Sequence, residues 1–342
     1  MKAFFVKQPH EFRLIDSEIP RLAPHDVLVR VGACGICGSD LDIIEGSRPM
    51  EVTAYPLVAG HEFAGRVEEV GSAVGDLRPG DKVAVDTIVG CGRCRNCLRG
   101  WGCHCLTAFN QLGCTLPGGM AEFAAVERRQ LYRLPAEIDI SAAALCEPAG
   151  CAAHGVSKAD LRPGDNVVIV GCGPIGALAL QTARLFSPAR LILVEIDERK
   201  LRLGERLGAT HTVNARTEDV PARVLDITRG AGADAVIECT GAVEPIRQSF
   251  SYIGVKGRTV IIGVPPVRTL EIDFLKMLMQ DSLVRPSNGY TREIWLWVLD
   301  LLVNGFYDAE AIITHRLPLS EVTTGFRILQ ERQELACKVM LV

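Results

Sequence analysis

The chain has 342 residues, 48% of them hydrophobic, which predicts about two domains with full hydrophobic cores. Its formal net charge is −4 and no Lys/Arg block stands out, which excludes the basic footprint of a nucleic-acid-binding protein. The first residues include charges and a proline, which is not the pattern of a signal peptide, and no apolar run is long enough for a membrane span. Thirteen cysteines without a signal peptide indicate a reducing compartment. We therefore expect a cytoplasmic protein with no membrane partner.

Residues 1 to about 145 alternate short apolar runs with turn residues, a pattern typical of a compact, mostly β domain. The runs Val27–Val31, Gly65–Val70 and Lys82–Val85 predict strands. Turns are predicted at Pro24–Asp26 and Arg78–Asp81, where proline, aspartate and glycine interrupt the apolar pattern.

A cysteine-rich loop follows the third of these strands. Cys91, Cys94 and Cys97 recur at a spacing of three residues, and Cys105 follows closely. Four thiolates at this spacing favour a tetrahedral Zn²⁺ site, and a site closed by four cysteines holds a loop in shape without doing chemistry. Cys103 lies in the same segment and is the alternative to Cys105 as the fourth ligand.

The pattern changes near Pro148, where strands begin to alternate with helices. The continuous apolar run Asn166–Val170 is typical of a strand buried on both faces of a parallel sheet. Helices are predicted at Ile175–Phe186 and Glu198–Leu207, and further strands at Leu191–Val194, Ala235–Glu238 and Thr259–Ile262. This alternation predicts a parallel βαβ sheet.

Beyond about residue 290, a helix containing Trp295 and Trp297 leads to a last apolar strand, Lys338–Leu341. The sequence contains no internal repeat and no low-complexity tract.

The segment Gly171-Cys-Gly173-Pro174-Ile175-Gly176 comes directly after a predicted strand and opens a predicted helix. This is the context that a Gly-x-Gly-x-x-Gly dinucleotide fingerprint needs. The first glycine permits the tight turn, the second lets the backbone approach a pyrophosphate, and the third lets helix and strand pack closely. The helix N-terminus then offers free N–H groups to the phosphates.

Glu195 ends the next predicted strand, nineteen residues after Gly176. An acidic side chain at this position accepts hydrogen bonds from the ribose hydroxyls and repels a 2′-phosphate, which favours NAD over NADP. Arg199 and Lys200 lie nearby and would tolerate a phosphate, so NADP stays open as the less favoured cofactor.

Three further motifs complete a pattern: Cys37-Gly-Ser39-Asp40, the Gly60-His61-Glu62 motif that continues through Gly65 and Gly71 to Val74, and Glu147-Pro148. Together with the cysteine loop and the glycine fingerprint, in this order, they resemble the zinc-dependent medium-chain dehydrogenases over nearly the whole chain. The resemblance implies an α/β fold with two domains. Residues 1–148 and 291–342 would form a GroES-like catalytic zinc domain, and residues 149–290 a Rossmann domain with a doubly wound parallel sheet. The active site would lie in the cleft at the carboxyl ends of the sheet strands.

The subgroup that the chain resembles most is the polyol dehydrogenases, such as sorbitol dehydrogenase, because a glutamate stands at position 147 where classical alcohol dehydrogenases have a cysteine. By this resemblance Cys37, His61 and Glu62 bind a catalytic zinc. Glu147 would be either a fourth ligand or the partner of the zinc-bound water. Cys146, beside it, leaves an alcohol-dehydrogenase-like ligand set as a minor alternative.

The resemblance also assigns roles around the metal. Ser39 matches the hydroxyl that passes the substrate proton outward. Asp40 would either support the local fold or orient His61. Many relatives continue the relay with a histidine at position 42, where this chain has Asp42. Cofactor contacts are implied at the ends of two sheet strands, at Cys239, Thr240 and Val264.

We therefore expect an enzyme with two zinc ions per chain that oxidises a secondary alcohol of a polyol, sugar alcohol or sugar acid to the ketone with NAD. A threonine or short-chain diol dehydrogenase is the alternative within enzymes, and a catalytically inactive nucleotide-binding relative is the alternative from another class. The partner is a small polar alcohol or ketone, and the resemblance implies a homodimer or homotetramer.

Overall fold

The computed structural model describes residues 1–331 and 333–342. It divides the chain into two units, one formed by Met1–Glu147 with Thr291–Val342 and the other by Pro148–Tyr290. Pro148 begins the second unit, whereas the sequence analysis places it at the end of the first.

In the described residues the strands are, in chain order, β1 (Lys2–Gln8), β2 (Glu11–Asp16), β3 (Asp26–Gly35), β4 (Leu57–Val58), β5 (Glu62–Val70), β6 (Lys82–Val85), β7 (Phe123–Glu127), β8 (Leu131–Arg133), β9 (Asn166–Val170), β10 (Arg190–Glu195), β11 (His211–Asn214), β12 (Ala233–Glu238), β13 (Ile253–Ile261), β14 (Leu283–Pro286), β15 (Ile313–Leu317) and β16 (Lys338–Leu341). The α-helices are α1 (Gly38–Glu45), α2 (Arg95–Leu98), α3 (Ile140–Ala144), α4 (Cys146–Lys158), α5 (Pro174–Arg184), α6 (Glu198–Leu207), α7 (Val220–Ile227), α8 (Val243–Ser249), α9 (Phe274–Gln280), α10 (Arg292–Val303), α11 (Ala309–Ile312) and α12 (Val322–Glu331).

The first unit is built on two sheets. A seven-stranded sheet has the order β15-β16-β3-β5-β6-β8, with β7 paired to β3, and a three-stranded sheet has the order β2-β1-β4. Most pairings are antiparallel, and the core behind them contains Phe4, Phe63 and Phe326. This confirms the predicted β domain. The predicted strands at 27–31 and 65–70 are the inner parts of β3 and β5, and β6 has the predicted bounds.

The second unit contains one six-stranded sheet in the order β11-β10-β9-β12-β13-β14, with every neighbouring pair parallel. Counted from β9, this is the order 3-2-1-4-5-6 of a doubly wound nucleotide-binding sheet, which confirms the predicted fold class. The crevice of such a sheet lies where the order reverses, between β9 and β12. Side chains of β9 and β12 are buried almost throughout, as their continuous apolar runs predict.

Helix α5 is two residues shorter at its C-terminus than the sequence predicts. It ends at Arg184, and Leu185 is its C-cap. Helix α6 has the predicted bounds because Asp197 caps its N-terminus and Gly208, with φ of 106°, ends it in the left-handed conformation. In the part of the chain that the structure describes, none of the helices has the combination of length and apolar character that a membrane crossing requires.

Candidate functional site

The cysteine loop forms a compact group of four sulfurs. The Sγ atoms of Cys91, Cys94, Cys97 and Cys105 all lie within 4.8 Å of one another, and those of Cys91 and Cys97 are 3.9 Å apart. A tetrahedron with Zn–S bonds of about 2.3 Å places its sulfurs roughly 3.8 Å apart, so the group fits Zn²⁺. Gly90 is required here because a Cβ atom on it would lie 2.7 Å from Cys97 Sγ.

Backbone N–H groups point at these sulfurs. The N–H of Cys94 lies against Cys91 Sγ, and that of Cys97 against Cys94 Sγ. Hydrogen bonds from the Thr107 hydroxyl and from backbone N–H groups lower the pKa of Cys91 to about 5. Burial raises the pKa of Cys97 to about 12, so this thiol needs the metal to lose its proton. Among the described residues, Cys105 rather than Cys103 belongs to the four-sulfur group.

A second group of ligand atoms lies in the same unit. One ligand atom each of Cys37, His61 and Glu62 lies within 4.8 Å of the others. Cys37 is the N-cap of α1, where its N–H donates to Asp40 Oδ2 at 2.9 Å, and this capping fixes the start of the helix. His61 and Glu62 enter from the start of β5. A thiolate, an imidazole and a carboxylate are a donor set typical of catalytic zinc.

Neighbouring groups orient His61. Its Nδ1 lies 3.4 Å from Asp40 Oδ1, and its Nε2 lies 3.3 Å from the hydroxyl of Ser39. The Ser39 hydroxyl also donates to Cys37 Sγ at 3.2 Å, so it stands between two proposed ligands. Burial lowers the pKa of His61, but the anionic neighbours Cys114, Asp40 and Cys37 together raise the pKa well above its ordinary value. A carboxylate on Nδ1 leaves Nε2 to a metal.

Glu62 is paired with a lysine that the sequence analysis missed. Lys338 Nζ lies 2.5 Å from Glu62 Oε2 and also donates to the carbonyl oxygen of Ile36 at 3.0 Å. Both side chains are buried. Lys338 comes from β16, at the other end of the chain, and no local pattern in the sequence connects it to the Gly-His-Glu motif.

Glu147 lies near this group but outside it. In the described residues its carboxylate does not belong to the set of atoms within 4.8 Å that Cys37, His61 and Glu62 form. Its Oε1 accepts a hydrogen bond from Gln111 Nε2 at 3.4 Å. Burial raises the pKa of Glu147 to about 7, an effect that nearby His61 opposes. Burial also raises the pKa of Cys146 to about 12.

The proton relay is only partly assembled. The Ser39 hydroxyl contacts both Cys37 Sγ and His61 Nε2. The Asp42 carboxylate is exposed and accepts a hydrogen bond from the Ser47 hydroxyl at 3.1 Å. No hydrogen bond joins Asp42 to Ser39 in residues 1–331 or 333–342, so Asp42 does not extend the relay directly.

The glycine fingerprint has the geometry that a pyrophosphate needs. Gly171 has φ of 90°, a left-handed conformation that favours glycine. A Cβ on Gly176 would lie 1.8 Å from the carbonyl oxygen of Gly171, so α5 packs directly against the turn. Gly173, the N-cap of α5, has no atom within 4 Å of a built Cβ, which leaves its surroundings open to a phosphate. Pro174 and Ile175 form the first turn of α5.

Glu195, the last residue of the neighbouring strand β10, contacts this turn through its side chain. Its Oε2 accepts the N–H of Cys172 at 2.7 Å, and its Oε1 accepts the N–H of Ile196 at 2.7 Å. The carboxylate therefore sits beside the fingerprint, where a ribose is expected. Arg199 is paired with Asp197, whose Oδ2 lies 2.6 Å from the guanidinium, and this pairing lowers the pKa of Asp197.

A buried carboxylate organises the end of β12. Glu238 accepts hydrogen bonds from the N–H groups of Thr240 and Gly241 and from the Thr240 hydroxyl. Cys239 and Thr240 therefore stand at the carboxyl end of the strand beside β9, where the crevice opens. Val264 is 89% exposed, in the loop after β13.

The chain is similar to known dehydrogenases over nearly its whole length. Two family models match the chain: the alcohol dehydrogenase GroES-like domain over residues 23–136 and the zinc-binding dehydrogenase model over residues 174–304. An L-threonine 3-dehydrogenase of Bacillus velezensis is 34% identical over 100% of this chain and 99% of its own. A sorbitol dehydrogenase of Halalkalibacterium halodurans is 31% identical over 100% of this chain and 99% of its own. Among solved structures, the chain is similar to a protein of Sinorhizobium meliloti that is assigned as a zinc-binding dehydrogenase and was solved with NADP bound. The TM-score is 0.92 and the identity is 33%, over 100% of this chain and 98% of the other.

Proposed function

Because the chain belongs to the zinc-dependent medium-chain dehydrogenases, and is therefore a zinc- and NAD(P)-dependent oxidoreductase, we propose that it oxidises a secondary alcohol of a polyol, sugar alcohol or sugar acid to the ketone. The observation that carries this proposal is the group of Cys37, His61 and Glu62, with Ser39 between two of them and the Glu147 carboxylate nearby.

The donor set supports a catalytic metal at Cys37, His61 and Glu62. When bound, zinc supplies Lewis-acid polarisation of the substrate oxygen, and NAD supplies the acceptor for the hydride that leaves the alcohol carbon. Asp40 Oδ1 lies 3.4 Å from His61 Nδ1, and the other ring nitrogen, Nε2, lies on the side of Ser39. The Ser39 hydroxyl is placed to accept the proton that the substrate hydroxyl loses, and to pass it outward.

NAD is the cofactor that we propose, rather than NADP. The Glu195 carboxylate beside the fingerprint provides an acceptor for ribose hydroxyls and repels a 2′-phosphate. Asp197 already pairs with Arg199, whose guanidinium would otherwise attract a 2′-phosphate. The similar Sinorhizobium meliloti structure holds NADP, so the preference rests on these residues of the chain and needs measurement.

A second substrate class has specific support. The Bacillus velezensis relative, 34% identical, is an L-threonine 3-dehydrogenase, which oxidises the secondary alcohol of an amino acid. The sorbitol dehydrogenase relative, 31% identical, supports the polyol class. Oxidation of either substrate would use the proposed metal site at Cys37, His61 and Glu62.

The test is NADH formation across a panel of polyols, sugar acids, diols and L-threonine, before and after zinc chelation. A chelator-sensitive signal on a polyol or sugar acid supports the proposal, and a signal confined to L-threonine replaces it with the second candidate. Cys37→Ser should abolish turnover and remove one zinc per chain. If Cys37→Ser retains full activity, the proposed metal site is wrong.

We also propose that two copies associate through the second unit. Four apolar side chains of α9 are 65–77% exposed: Phe274, Leu275, Leu278 and Met279. The neighbouring strand β14 is the edge of its sheet. A patch of this kind beside an edge strand is typical of an interface. Light scattering should give a dimer or tetramer, and Phe274→Ser with Met279→Lys should give smaller particles.

A further inference from the structure

Two buried carboxylates stand near the proposed zinc ligands, and they have different partners. Glu62 is held by the ammonium of Lys338, whereas Glu147 is held by the neutral amide of Gln111. Both Glu147 and Gln111 are 7% exposed, so water cannot easily replace this contact. The amide is thus the partner that decides where the Glu147 carboxylate rests.

The position of Gln111 is itself fixed. Its N–H donates to Thr115 Oγ1 at 2.8 Å, and its carbonyl oxygen accepts N–H groups of Cys114, Thr115 and Leu116 at 3.0–3.2 Å. A bridge also pairs Gln111 with Ile88. A side chain on so constrained a backbone presents its amide in one place.

The same loop is packed against the metal site. A Cβ on Gly113 would lie 2.2 Å from the carbonyl oxygen of Gly60, and the N–H of Gly119 donates to that oxygen at 2.8 Å. Cys114 Sγ lies 3.8 Å from His61 Nδ1. The loop of residues 111–119 therefore contacts His61 and Glu147 at once, and it fixes their separation.

We propose that Gln111 is a positioning residue that holds Glu147 outside the set formed by Cys37, His61 and Glu62. A catalytic zinc site has three protein ligands and one open position, whereas a site with four protein ligands is closed. Gln111 contacts Glu147, and Cys114, three residues further along the same loop, contacts His61, so the Glu147 carboxylate lies beside the proposed ligands and, unrestrained, would fill the open position. By restraining Glu147 Oε1, Gln111 keeps that position available to the substrate oxygen. This inference rests on the proposed zinc site.

The test is Gln111→Met, which keeps the length of the side chain and removes the donor. We expect turnover to fall roughly 10- to 100-fold, the usual effect of losing a partner outside the ligand set. We expect a chelator to remove the catalytic zinc several-fold more slowly, because a fourth protein ligand now holds it. In the Co²⁺-substituted protein, imidazole should perturb the visible spectrum of the wild type and not that of the variant.

Two further variants make the result decisive. In Gln111→Met combined with Glu147→Gln, the carboxylate is gone, so fast zinc release and the response to imidazole should return. Gln130→Met is the matched control, since Gln130 is a buried glutamine of the same unit that donates to the carbonyl oxygens of Asp86 and Ile88. It should leave zinc release and the imidazole response unchanged.

The outcomes separate this inference from the proposed function. Faster zinc release in Gln111→Met would mean that Gln111 only supports the fold, and the positioning role would be overturned while the zinc site stands. If Cys37→Ser leaves the zinc content unchanged, the zinc site itself is wrong, and the role of Gln111 is overturned with it.

Discussion

The ammonium of Lys338 lies 2.5 Å from the carboxylate of Glu62, and their side chains are only 1% and 2% exposed. Lys338 Nζ also donates to the carbonyl oxygen of Ile36, the residue before the proposed ligand Cys37. Burial lowers the pKa of Lys338, but Glu62 and neighbouring anions outweigh this and hold the pKa above its ordinary value. The ammonium of Lys338 therefore keeps its proton, and its contact with Glu62 joins the last strand of the chain to the metal site.

Removing one partner of this pair should leave a buried charge without compensation. We expect Lys338→Met to lower the free energy of unfolding of the metal-free protein by about 3–5 kcal/mol. The double variant Lys338→Met with Glu62→Gln should recover much of this loss, because no charge is then buried. Denaturant titration of the chelated proteins measures both effects. Equal losses in the single and double variants would show that Lys338 acts through packing alone.

The fourth ligand of the cysteine loop can be identified by metal analysis. Cys105 belongs to the four-sulfur group and Cys103 does not, so Cys105→Ser should reduce the zinc content from two ions per chain to one. Cys103 lies in the same loop and is 7% exposed, so Cys103→Ser is the matched control and should keep both ions. Loss of one ion from Cys103→Ser instead would reverse the assignment.

The sequence predicts best the parts of this fold whose signals are local. Strand Asn166–Val170 and helix Glu198–Leu207 have the predicted bounds. A continuous apolar run defines the strand, and a pair of capping residues defines the helix. The strands β11 and β14, at the two edges of the parallel sheet, were missed. Both are four residues long and their side chains are partly exposed, so neither has a continuous apolar run.

The metal site shows the same difference between residues that have a local sequence signal and residues that do not. Spacing alone indicates the cysteine loop, and short motifs indicate Cys37, His61 and Glu62. The contacts that set the charge and position of the two glutamates come from Lys338, 276 residues from Glu62, and from Gln111, 36 residues from Glu147. Such partners depend on the folded arrangement of β16 and of the loop before β7, which no local pattern encodes.

Two glycines of the fingerprint, Gly173 and Gly176, should respond differently to a methyl group. Gly173→Ala has free space and an extended backbone, so it should fold normally and weaken NADH binding at least roughly tenfold, because the methyl occupies the place of a phosphate. Gly176→Ala should destabilise the second unit by about 1–3 kcal/mol, because its Cβ would collide with the Gly171 carbonyl. Thermal melts and NADH fluorescence titrations distinguish the two. Normal NADH affinity in Gly173→Ala would place the pyrophosphate elsewhere.

Cofactor preference should depend on two carboxylates. Glu195→Gln keeps an acceptor for the N–H of Cys172 but removes the charge that repels a 2′-phosphate, so we expect the ratio of kcat/KM for NADP to that for NAD to rise. Asp197→Asn keeps the cap of α6 and removes the negative charge beside Arg199, and it should add to the effect. Steady-state kinetics with both cofactors measure the ratio. An unchanged ratio in the double variant would remove both residues from cofactor selection.

The free energy of unfolding of the metal-free protein should depend on pH through the titration of Glu147. Burial raises the pKa of this carboxyl to about 7 in the folded state, from an ordinary value of 4.5. The folded state therefore holds a proton that the unfolded state has released. The contribution of Glu147 to stability is most favourable below about pH 4.5, falls as pH rises through about 7, and amounts to roughly 3 kcal/mol over that window.

Glu147→Gln has no such proton, so the difference between its free energy of unfolding and that of the wild type, both measured in the presence of chelator, should grow in favour of the variant between about pH 4.5 and about pH 7 and stay constant above that. The comparison cancels the titration of all other groups that the two proteins share. Gln111→Met should keep most of this pH dependence, because burial, rather than the neutral amide, is the main cause of the raised pKa. Parallel curves for wild type and Glu147→Gln would mean that the Glu147 carboxylate is solvated in solution, and the positioning role of Gln111 would then lose its basis.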